Sequence, residues 1–355
     1  MRAEMAHPGR VVVKVGSSSL TTADGAFDID RVQSLARELS ALHARGTRVV
    51  LVTSGAIAAG LGPLGLSRRP RDLETQQAAA AVGQGLLIHH YSEAFATHGL
   101  LVAQLLLTVD DVLRGTTYRN ALNTISRLFR LGVVPIINEN DTTATHEIRF
   151  GDNDRLAALV AHLVRADALV LLTDVEGLYT KHPSEPGSEL IAQVDDVNAL
   201  AVDTSRVGSK VGTGGMRTKL EAAQIASQAG VDVILGHADR LAEILAGEEV
   251  GTHFSPVGRR RPRRLLWLAH VAKVRGLLHV DGGAFDALTR THASLLAAGI
   301  TRVEGNFNAG EPVGIVGPDG EAFARGFTDY GSDELADLAS APARAVVHRD
   351  RMILL

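Results

Sequence analysis

The chain has 355 residues, of which 45% are hydrophobic, and a formal net charge of −4, which is enough for one large domain and a smaller one. It contains no cysteine, which excludes disulfides, thiolate metal sites and a cysteine nucleophile and favours a reducing compartment. Because no segment approaches the roughly 18 uninterrupted apolar residues of a membrane span, and residues 1–10 lack the apolar stretch of a signal peptide, we expect a soluble cytoplasmic protein.

Six apolar runs, each followed at once by small or polar residues, predict six buried strands. They lie at residues 11–15, 49–52, 100–107, 133–137, 169–172 and 231–235. Continuous Val, Leu and Ile, without alternating polar residues, are typical of parallel strands covered on both faces. Helical patterns lie between the strands, at residues 30–44, 74–97, 119–131 and 215–229 among others. This alternation predicts an open α/β sandwich with a mostly parallel sheet, in which ligands bind beyond the carboxyl ends of the strands.

The alternation of strands and helices stops near residue 251. A basic stretch interrupted by Pro262 follows, and it predicts a linker at residues 255–275, between a first domain of residues 1–254 and a second of residues 276–355. The second domain has short apolar runs with glycine turns at residues 276–280, 299–303, 313–316 and 322–326, and one helical pattern at about residues 285–296. We therefore predict a small β-rich module there.

A lysine stands near the end of the first predicted strand, in the run Val12-Val13-Lys14-Val15-Gly16. A lysine in a buried strand is unfavourable unless an anion neutralises it, and Gly16 lets the backbone approach such an anion closely. The alternative is an edge strand with a solvated lysine. The run therefore predicts either an anion site or an exposed edge.

Two carboxylates and a carboxamide follow a glycine in the run Gly151-Asp152-Asn153-Asp154, directly before an apolar helical pattern at residues 156–164. One such residue would cap the helix, but three in a row exceed what a cap needs. Because helix N-termini also hold phosphates and metal-bound anions, this run is a candidate phosphate site.

Two further runs are typical of nucleotide sites. In Gly212-Thr213-Gly214-Gly215, glycines lead into a helical pattern that carries Lys219, so the positive helix end and an ammonium group would face one anion. The alternative for this run is a flexible linker. Thr173-Asp174 ends another predicted strand, where the Asp would hold a metal-bound nucleotide or begin an Asx-turn.

One glycine pattern is set aside. Gly60, Gly62 and Gly65 have the spacing of the dinucleotide fingerprint, but the pattern contains Pro63 and does not open a helix directly after a strand. We therefore expect no NAD site there. The sequence also contains no P-loop motif.

Taken together and in this order, the runs resemble the glutamate 5-kinases, a family of the amino acid kinase superfamily. The resemblance covers about residues 11–246. It rests on Lys14-x-Gly16-Ser17-Ser18, Thr53-Ser54-Gly55-Ala56, Ile137-Asn138-Glu139-Asn140-Asp141, Phe150-Gly151-Asp152-Asn153-Asp154, the run from Thr173 to Tyr179, and the run from Gly212 to Lys219. Residues 280–284, 294–300, 303–305 and 324–326 resemble the PUA domain that bacterial members often carry. The implied architecture is an amino acid kinase fold followed by a PUA-like domain.

The resemblance implies a kinase that uses ATP and Mg²⁺. It would phosphorylate the side-chain carboxylate of L-glutamate to L-glutamyl 5-phosphate, the first step of proline biosynthesis. Lys14 and Lys219 would contact the transferring phosphoryl group, and Asp154 would orient both lysines. Mg²⁺ would be bound through the ATP phosphates, with Asp174 as a candidate ligand. The implied ATP-binding residues are Lys14, Gly16, Ser17, Thr173, Asp174, Thr213, Gly214, Gly215, Met216, Arg217, Thr218 and Lys219. The implied glutamate-binding residues are Ser54, Gly55, Asn138, Asp141, Asp152 and Asn153.

The resemblance also implies partners. We expect a homo-oligomer, proline as a feedback inhibitor, and glutamyl phosphate reductase as a functional partner because the product is a labile acyl phosphate. RNA binding by the second domain is disfavoured, because residues 276–355 contain six basic residues against eleven acidic ones. The alternatives are another superfamily kinase, with aspartate, acetylglutamate, carbamate or a nucleoside monophosphate as acceptor, and a non-catalytic RNA-binding or sensor protein.

Overall fold

The computed structural model describes residues 8–22, 27–113, 115–142, 153–197, 200, 215–257, 268, 274–291, 293–335 and 344–355, without the side chains of residues 110, 113, 115 and 116. The chain divides into two compact units, Met1–Arg260 and Arg261–Leu355. Most of the linker predicted at residues 255–275 lies outside the described residues. The domain boundaries read from the sequence therefore stay a prediction.

The first unit is built on one sheet. Its strands are β1 (Arg10–Lys14), β2 (Arg48–Val52), β3 (Val102–Leu107), β4 (Val134–Glu139), β5 (Ala168–Thr173), β6 (Gln193–Val194), β7 (Asp232–His237) and β8 (Thr252–Phe254). They lie in the order β3-β4-β2-β1-β5-β7-β8-β6. The six long strands are parallel to one another, whereas β8 runs antiparallel to β7. The predicted, mostly parallel sheet is confirmed, and the short strands β6 and β8 are additions to it.

Helices connect the strands and cover the sheet. They are α1 (Ile29–Ala44), α2 (Ala56–Leu61), α3 (Leu73–Ala96), α4 (Val109–Leu113), α5 (Gly115–Arg130), α6 (Asn153–Leu163), α7 (Met216–Gln228) and α8 (Leu241–Leu245). The carboxylates of Asp28 and Asp72 cap α1 and α3 by accepting hydrogen bonds from backbone amides three residues on. Within the described ranges, no helix has both the length and the apolar composition that crossing a membrane requires.

The alternation of side chains along β1 separates the two faces of the sheet. Val11 and Val13 belong to the apolar cluster formed with α1, α3 and α8. Lys14 has the opposite orientation and contacts Asp154 of α6, which also binds Lys219 of α7. Since successive strand residues point to opposite faces, the apolar register of β1 places one ammonium group on the α6–α7 face.

Polar residues collect at one edge of the sheet because the long strands are parallel. Lys14, Asn138 and Thr173 each lie at or next to the carboxyl end of a strand, and Thr53 and Ser54 directly follow β2. Thr53 continues the ladder, since its backbone amide donates to the Ile137 carbonyl at 2.9 Å. The edge is therefore a row of polar groups above an apolar sheet, as expected for a ligand site in such a fold.

One glycine of the dinucleotide-like pattern, Gly60, belongs to a helix contact. Gly60 of α2 and Gly83 of α3 face each other, and a Cβ atom on Gly83 would lie 1.8 Å from the Ala56 carbonyl oxygen. A Cβ atom on Gly60 would lie 2.0 Å from the Ala79 carbonyl oxygen. Both distances are far below van der Waals contact. The absence of side chains here brings the two helix backbones together.

The second unit is a β-rich module, as predicted. Its strands are β9 (Gly276–Val280), β10 (Leu295–Leu296), β11 (Ile300–Gly305), β12 (Pro312–Val316), β13 (Ala322–Thr328) and β14 (Ala345–Leu354), in the order β10-β14-β13-β12-β9-β11. Its helix, α9, spans Gly282–Arg290. The unit has its own apolar core, which includes Leu278, Val313 and Val346.

The helix predicted at residues 285–296 is wrong in its bounds. Asp281 caps α9 by accepting a hydrogen bond from the Ala284 amide at 2.7 Å, so the helix begins earlier. Leu295 and Leu296, read from the sequence as its last turn, form β10 and pair with β14. The apolar pair fits a strand as well as a helix, and pairing with β14, which was not predicted, decides between them.

We expect Gly83→Ala to destabilise the first unit by more than about 2 kcal/mol, since the new methyl group cannot fit against the Ala56 carbonyl. Gly85→Ala is the matched control. It lies in the same helix, a Cβ atom there meets nothing within 4 Å, and it should stabilise the helix by about 0.5–1 kcal/mol. Thermal unfolding of both variants measures the difference. Equal melting temperatures would contradict the close contact between α2 and α3.

Candidate active site

Lys14, Asp154 and Lys219 converge on one point beyond the sheet edge. Lys14 Nζ lies 2.5 Å from one carboxylate oxygen of Asp154, and Lys219 Nζ lies 3.3 Å from the other. Asp154 is fully buried, and the side chains of Lys14 and Lys219 are 6% and 10% exposed. One buried carboxylate therefore bridges two almost buried ammonium groups.

Three different elements supply these side chains. Lys14 ends β1, Asp154 lies in the first turn of α6, and Lys219 lies one turn into α7. Their sequence positions are 140 and 65 residues apart, so only the fold brings them together. The apolar residues of α6 anchor that helix in the core, with Leu156, Leu159 and Val160 almost completely buried. This packing holds Asp154 in place.

The charges of the site control the protonation of Asp154. Burial alone would raise the pKa of Asp154, but the charges of Lys14 and Lys219 outweigh burial and hold it below its ordinary value. Thr218 adds a hydrogen bond, its hydroxyl donating to the Asp154 carboxylate at 2.8 Å. Asp154 is therefore an anion at neutral pH, and the two lysines have a fixed counter-charge.

The backbone around the lysines is open. A Cβ atom on Gly16 would lie 3.4 Å from Lys14 Nζ, so glycine keeps the space beside this ammonium group clear. Ser17 opens a short 3₁₀ turn, Ser17–Leu20. At α7 the N-cap residue is Gly215, which makes no side-chain cap, so no side chain competes for the first amides of that helix. This combination of bare amides and ammonium groups suits an anion.

A second, neutral network lies beside the ion cluster. The Asn153 side-chain amide donates to Ser54 Oγ at 3.1 Å and to the Asn138 side-chain oxygen at 3.2 Å. The backbone amide of Glu139 donates to the side-chain oxygens of both asparagines, at 2.9 Å and 3.2 Å. Asn138 and Asn153 are buried, and Ser54 is half-buried. The structure thus brings together three of the residues predicted to bind the acceptor.

Gly55 lets the chain turn from β2 into α2. Its φ of 101° is in the left-handed region, which glycine adopts without strain. The hydroxyl of Thr53, two residues earlier, shares a 2.9 Å hydrogen bond with the Tyr91 hydroxyl of α3. Tyr91 is fully buried, and burial raises its pKa. The turn that presents Ser54 is therefore held from both sides.

Asp141 lies just beyond the carboxyl end of β4. Burial raises the pKa of Asp141 to about 6, and the charge of Arg69 partly counteracts this. Arg69 is itself half-buried, and burial lowers its pKa while the charge of Asp141 raises it. Asp141 is thus a carboxylate that gains from a cationic partner, a suitable environment for an ammonium group of a ligand.

Thr173 and Asp174 follow the carboxyl end of β5. Thr173 is buried and donates its hydroxyl to the Asp174 carboxylate at 3.1 Å, while Asp174 is exposed. In the part of the chain that the structure describes, no group of three or more His, Asp or Glu side chains could hold a metal ion. Asp174 is therefore an exposed carboxylate at the carboxyl end of β5.

Some predicted site residues are not brought into the cluster. Arg217 is 79% exposed and pairs with Glu221 of the same helix at 3.1 Å. Met216 opens α7 beside Gly215. Asp152, Thr213 and Gly214 lie outside the described residues, so their assignments stay predictions.

Two polar residues of this edge, Gln84 and Arg69, have no signal in the sequence. Gln84 of α3 accepts a hydrogen bond from the Asn138 side-chain amide at 2.7 Å. The charge of Arg69 lowers the pKa of Asp141, but Arg69 lies in the segment Ser67-Arg68-Arg69-Pro70, which reads from the sequence as a polar loop. A lone arginine in such a loop carries no sequence signal of its partner, and a glutamine within a helix carries none either.

The chain is similar to known proteins over most of its length. The sequence matches the amino acid kinase family over residues 9–237 and the PUA domain over residues 276–349. A glutamate 5-kinase from Salinispora arenicola is 56% identical over 369 residues, which cover all of both chains. A glutamate 5-kinase from Cutibacterium acnes is 54% identical over 97% of this chain and 91% of that protein. Among solved structures, carbamate kinase from Giardia lamblia bound to AMP-PNP has a TM-score of 0.54 and 19% identity, over 72% of this chain and 100% of that chain. This last likeness concerns the fold alone.

We expect Asp154→Asn to lower the free energy of unfolding by about 3–5 kcal/mol, because two buried ammonium groups lose their counter-charge. Urea denaturation measures the change. The double variant Asp154→Asn/Lys219→Met is the control, and it should recover part of the loss because one uncompensated ammonium group is removed. A double variant no more stable than the single one would contradict the coupling of the two residues.

Proposed function

The chain belongs to the amino acid kinase family, and we propose that Lys14, Asp154 and Lys219 form the centre at which it transfers the γ-phosphoryl group of ATP to L-glutamate. Its activity is that of the glutamate 5-kinases, with which it shares 50–56% identity over nearly the whole chain. The product is L-glutamyl 5-phosphate, and the reaction opens proline biosynthesis. The observation that carries the assignment of the centre is the convergence of two ammonium groups on one buried carboxylate.

The nucleophile needs little help from the protein. The side-chain carboxylate of glutamate has an ordinary pKa near 4.3 and is ionised at neutral pH, so no general base is required. The obstacle is the repulsion between this anion and the negative oxygens of ATP. Catalysis then consists of positioning the two reactants and neutralising charge on the phosphoryl group.

Lys14 and Lys219 supply that neutralisation. Their ammonium groups lie on either side of Asp154 and would contact the β- and γ-phosphate oxygens from two directions. Asp154 holds both cations before ATP arrives, so the charges need not reorganise during the reaction. Gly16, Ser17, Gly215 and Thr218 are proposed to line the phosphates with backbone amides and a hydroxyl.

Magnesium fits this site as part of the nucleotide. The described residues form no three-ligand metal cluster, and Mg²⁺ is commonly held by one or two carboxylates together with substrate phosphates. Asp174, exposed beside the buried Thr173, is the proposed protein ligand. Bound in this way, Mg²⁺ would neutralise charge on the phosphates. From the motif, Thr173, Thr213, Gly214, Met216 and Arg217 are proposed to complete the nucleotide site.

The neutral network is the proposed glutamate site. Ser54, Asn138 and Asn153 form it and suit the α-carboxylate. Asp141 suits the α-ammonium group, because a cation favours its ionised form. Gly55 shapes the turn that carries Ser54, and Asp152 joins the site on the basis of its motif alone.

The second unit is proposed to have a structural or regulatory role without RNA. Several of its arginines already have acidic partners, among them Arg290 with Asp286, Arg302 with Glu304 and Arg351 with Asp329. A basic face for a polyanion would need unpaired cations. We also propose a cytoplasmic homo-oligomer that is inhibited by proline and hands its labile product to glutamyl phosphate reductase.

We expect Lys219→Ala to lower kcat by at least about 100-fold, because one of the two charges on the transferring group is removed, while ATP still binds. Hydroxylamine trapping of glutamyl phosphate measures turnover, and calorimetry measures ATP binding. The control is Arg45→Ala, which removes an exposed cation between the end of α1 and the amino end of β2. Near-normal turnover in Lys219→Ala would reject its role, and no glutamate-dependent hydroxamate from the unaltered chain would reject the function itself.

We expect kcat/KM for glutamate to fall about tenfold per pH unit below pH 6. The pKa of Asp141 is raised to about 6, so its charge is present above that pH and lost below it. Asp141→Asn should weaken glutamate binding about 10- to 100-fold with little effect on ATP binding. In this variant the fall in kcat/KM below pH 6 should disappear.

The control is Arg69→Met. Since the Arg69 charge lowers the pKa of Asp141, its removal should make kcat/KM begin to fall at a higher pH. If the fall occurs at the same pH in Asp141→Asn and in Arg69→Met, another group is responsible for it.

A further inference from the structure

Helix α3 approaches the proposed glutamate site at three points. Gly83 is packed against the backbone of Ala56, directly after the Ser54-Gly55 turn. Gln84, the next residue, is hydrogen-bonded to Asn138 at the end of β4. Tyr91, two turns further on, is hydrogen-bonded to Thr53. One helix thus contacts the strand ends on both sides of the neutral network.

Gln84 completes the hydrogen bonding of a buried amide. Asn138 is 1% exposed, so its side-chain amide cannot be satisfied by water. The side-chain oxygen of Asn138 faces the Glu139 backbone amide and Asn153, which leaves its NH₂ group directed at α3. The Gln84 side-chain oxygen accepts from that group at 2.7 Å. Both ends of the Asn138 carboxamide are therefore fixed.

The fixed orientation of Asn138 determines the next two donors. The NH₂ group of Asn153 donates one hydrogen to the Asn138 side-chain oxygen and the other to Ser54 Oγ. Ser54 Oγ accepts this bond, so its own hydrogen remains to be donated. Among the described residues, no acceptor is recorded for that hydrogen, and Ser54 is half-buried with access to the edge of the sheet.

We infer that Gln84 is a positioning residue for glutamate: through Asn138 and Asn153 it orients the Ser54 hydroxyl as a donor to the α-carboxylate. The inference rests on the proposed function of this site. A donor at Ser54 suits an anionic ligand group, whereas an acceptor there would repel it. The Glu139 backbone amide sets the direction of this relay, because both asparagine oxygens accept from it, and Gln84 holds the relay in place by accepting from the remaining NH₂ group of Asn138.

Gln84→Met tests the relay, since methionine has a similar length and favours helices but offers only a weak acceptor. The KM for glutamate should rise about tenfold, because Asn138 loses its partner and can rotate away from Asn153. The KM for ATP should stay within about twofold, since Gln84 does not contact the lysine cluster. Gln76→Met, at another half-buried glutamine of α3, is the control and should change neither constant.

A double-mutant cycle separates positioning from helix packing. In a Ser54→Ala background the relay has no end point, so Gln84→Met should have little further effect on the KM for glutamate. Additive effects of the two changes would overturn the inference, as would an unchanged KM in Gln84→Met. Gln84→Leu provides a second acceptor-free variant if Gln84→Met proves unstable on thermal unfolding. If the unaltered enzyme is active and Gln84→Met has the same KM for glutamate, only the relay is rejected. If the unaltered enzyme does not phosphorylate glutamate, the proposed function is rejected.

Discussion

The buried contact of Asp154 with Lys14 and Lys219 is the interaction on which the site depends. Two ammonium groups cannot be buried side by side without an anion between them. The fold supplies that anion from the first turn of α6, whose apolar residues are anchored in the core. Because the carboxylate holds the cations at one place, a polyphosphate meets charges that are already arranged. The free energy needed to arrange these charges is therefore part of folding and is not required again when a ligand binds.

The parallel sheet explains why the proposed sites for the phosphoryl donor and the acceptor lie next to each other. All the long strands end at the same edge, so β1 delivers Lys14 there and β4 delivers Asn138. Helices then complete each site from a different direction, α6 and α7 for the ion cluster and α3 for the neutral network. The close approach of α2 and α3 at Gly83 ties the Ser54 turn to the helix that carries Gln84. A change in the spacing of α2 and α3 would therefore alter the hydrogen bonds of Ser54 and Gln84 in the neutral network.

Much of this arrangement can be predicted from local sequence patterns. Lys14 stands in a continuous apolar run, and Asp154 opens a helix behind an unusually polar segment, so each signals its environment by itself. Gln84 and Arg69 give no such signal, because their partners lie 54 and 72 residues away in the chain and only the fold brings them together. The helix placed at residues 285–296 failed for the same reason, since pairing with the distant β14 determines the state of Leu295 and Leu296. Local patterns thus predict buried charges and strand ends, whereas contacts made by helix faces require the three-dimensional structure.

Two carboxylates of this edge have opposite pKa shifts, and the difference separates their roles. Burial acts on both, but two lysines lower the pKa of Asp154, while one half-buried arginine only partly offsets the rise at Asp141. Asp154 already has its cations and gains little from another, which fits a permanent structural anion. Asp141 has too little positive charge nearby and gains from a ligand that brings an ammonium group. In the proposed site an amino acid substrate would supply that group, and its α-carboxylate would meet the hydroxyl of Ser54 in the adjoining network. The environments of the two carboxylates therefore support the proposal of phosphate on one side of the edge and an amino acid on the other.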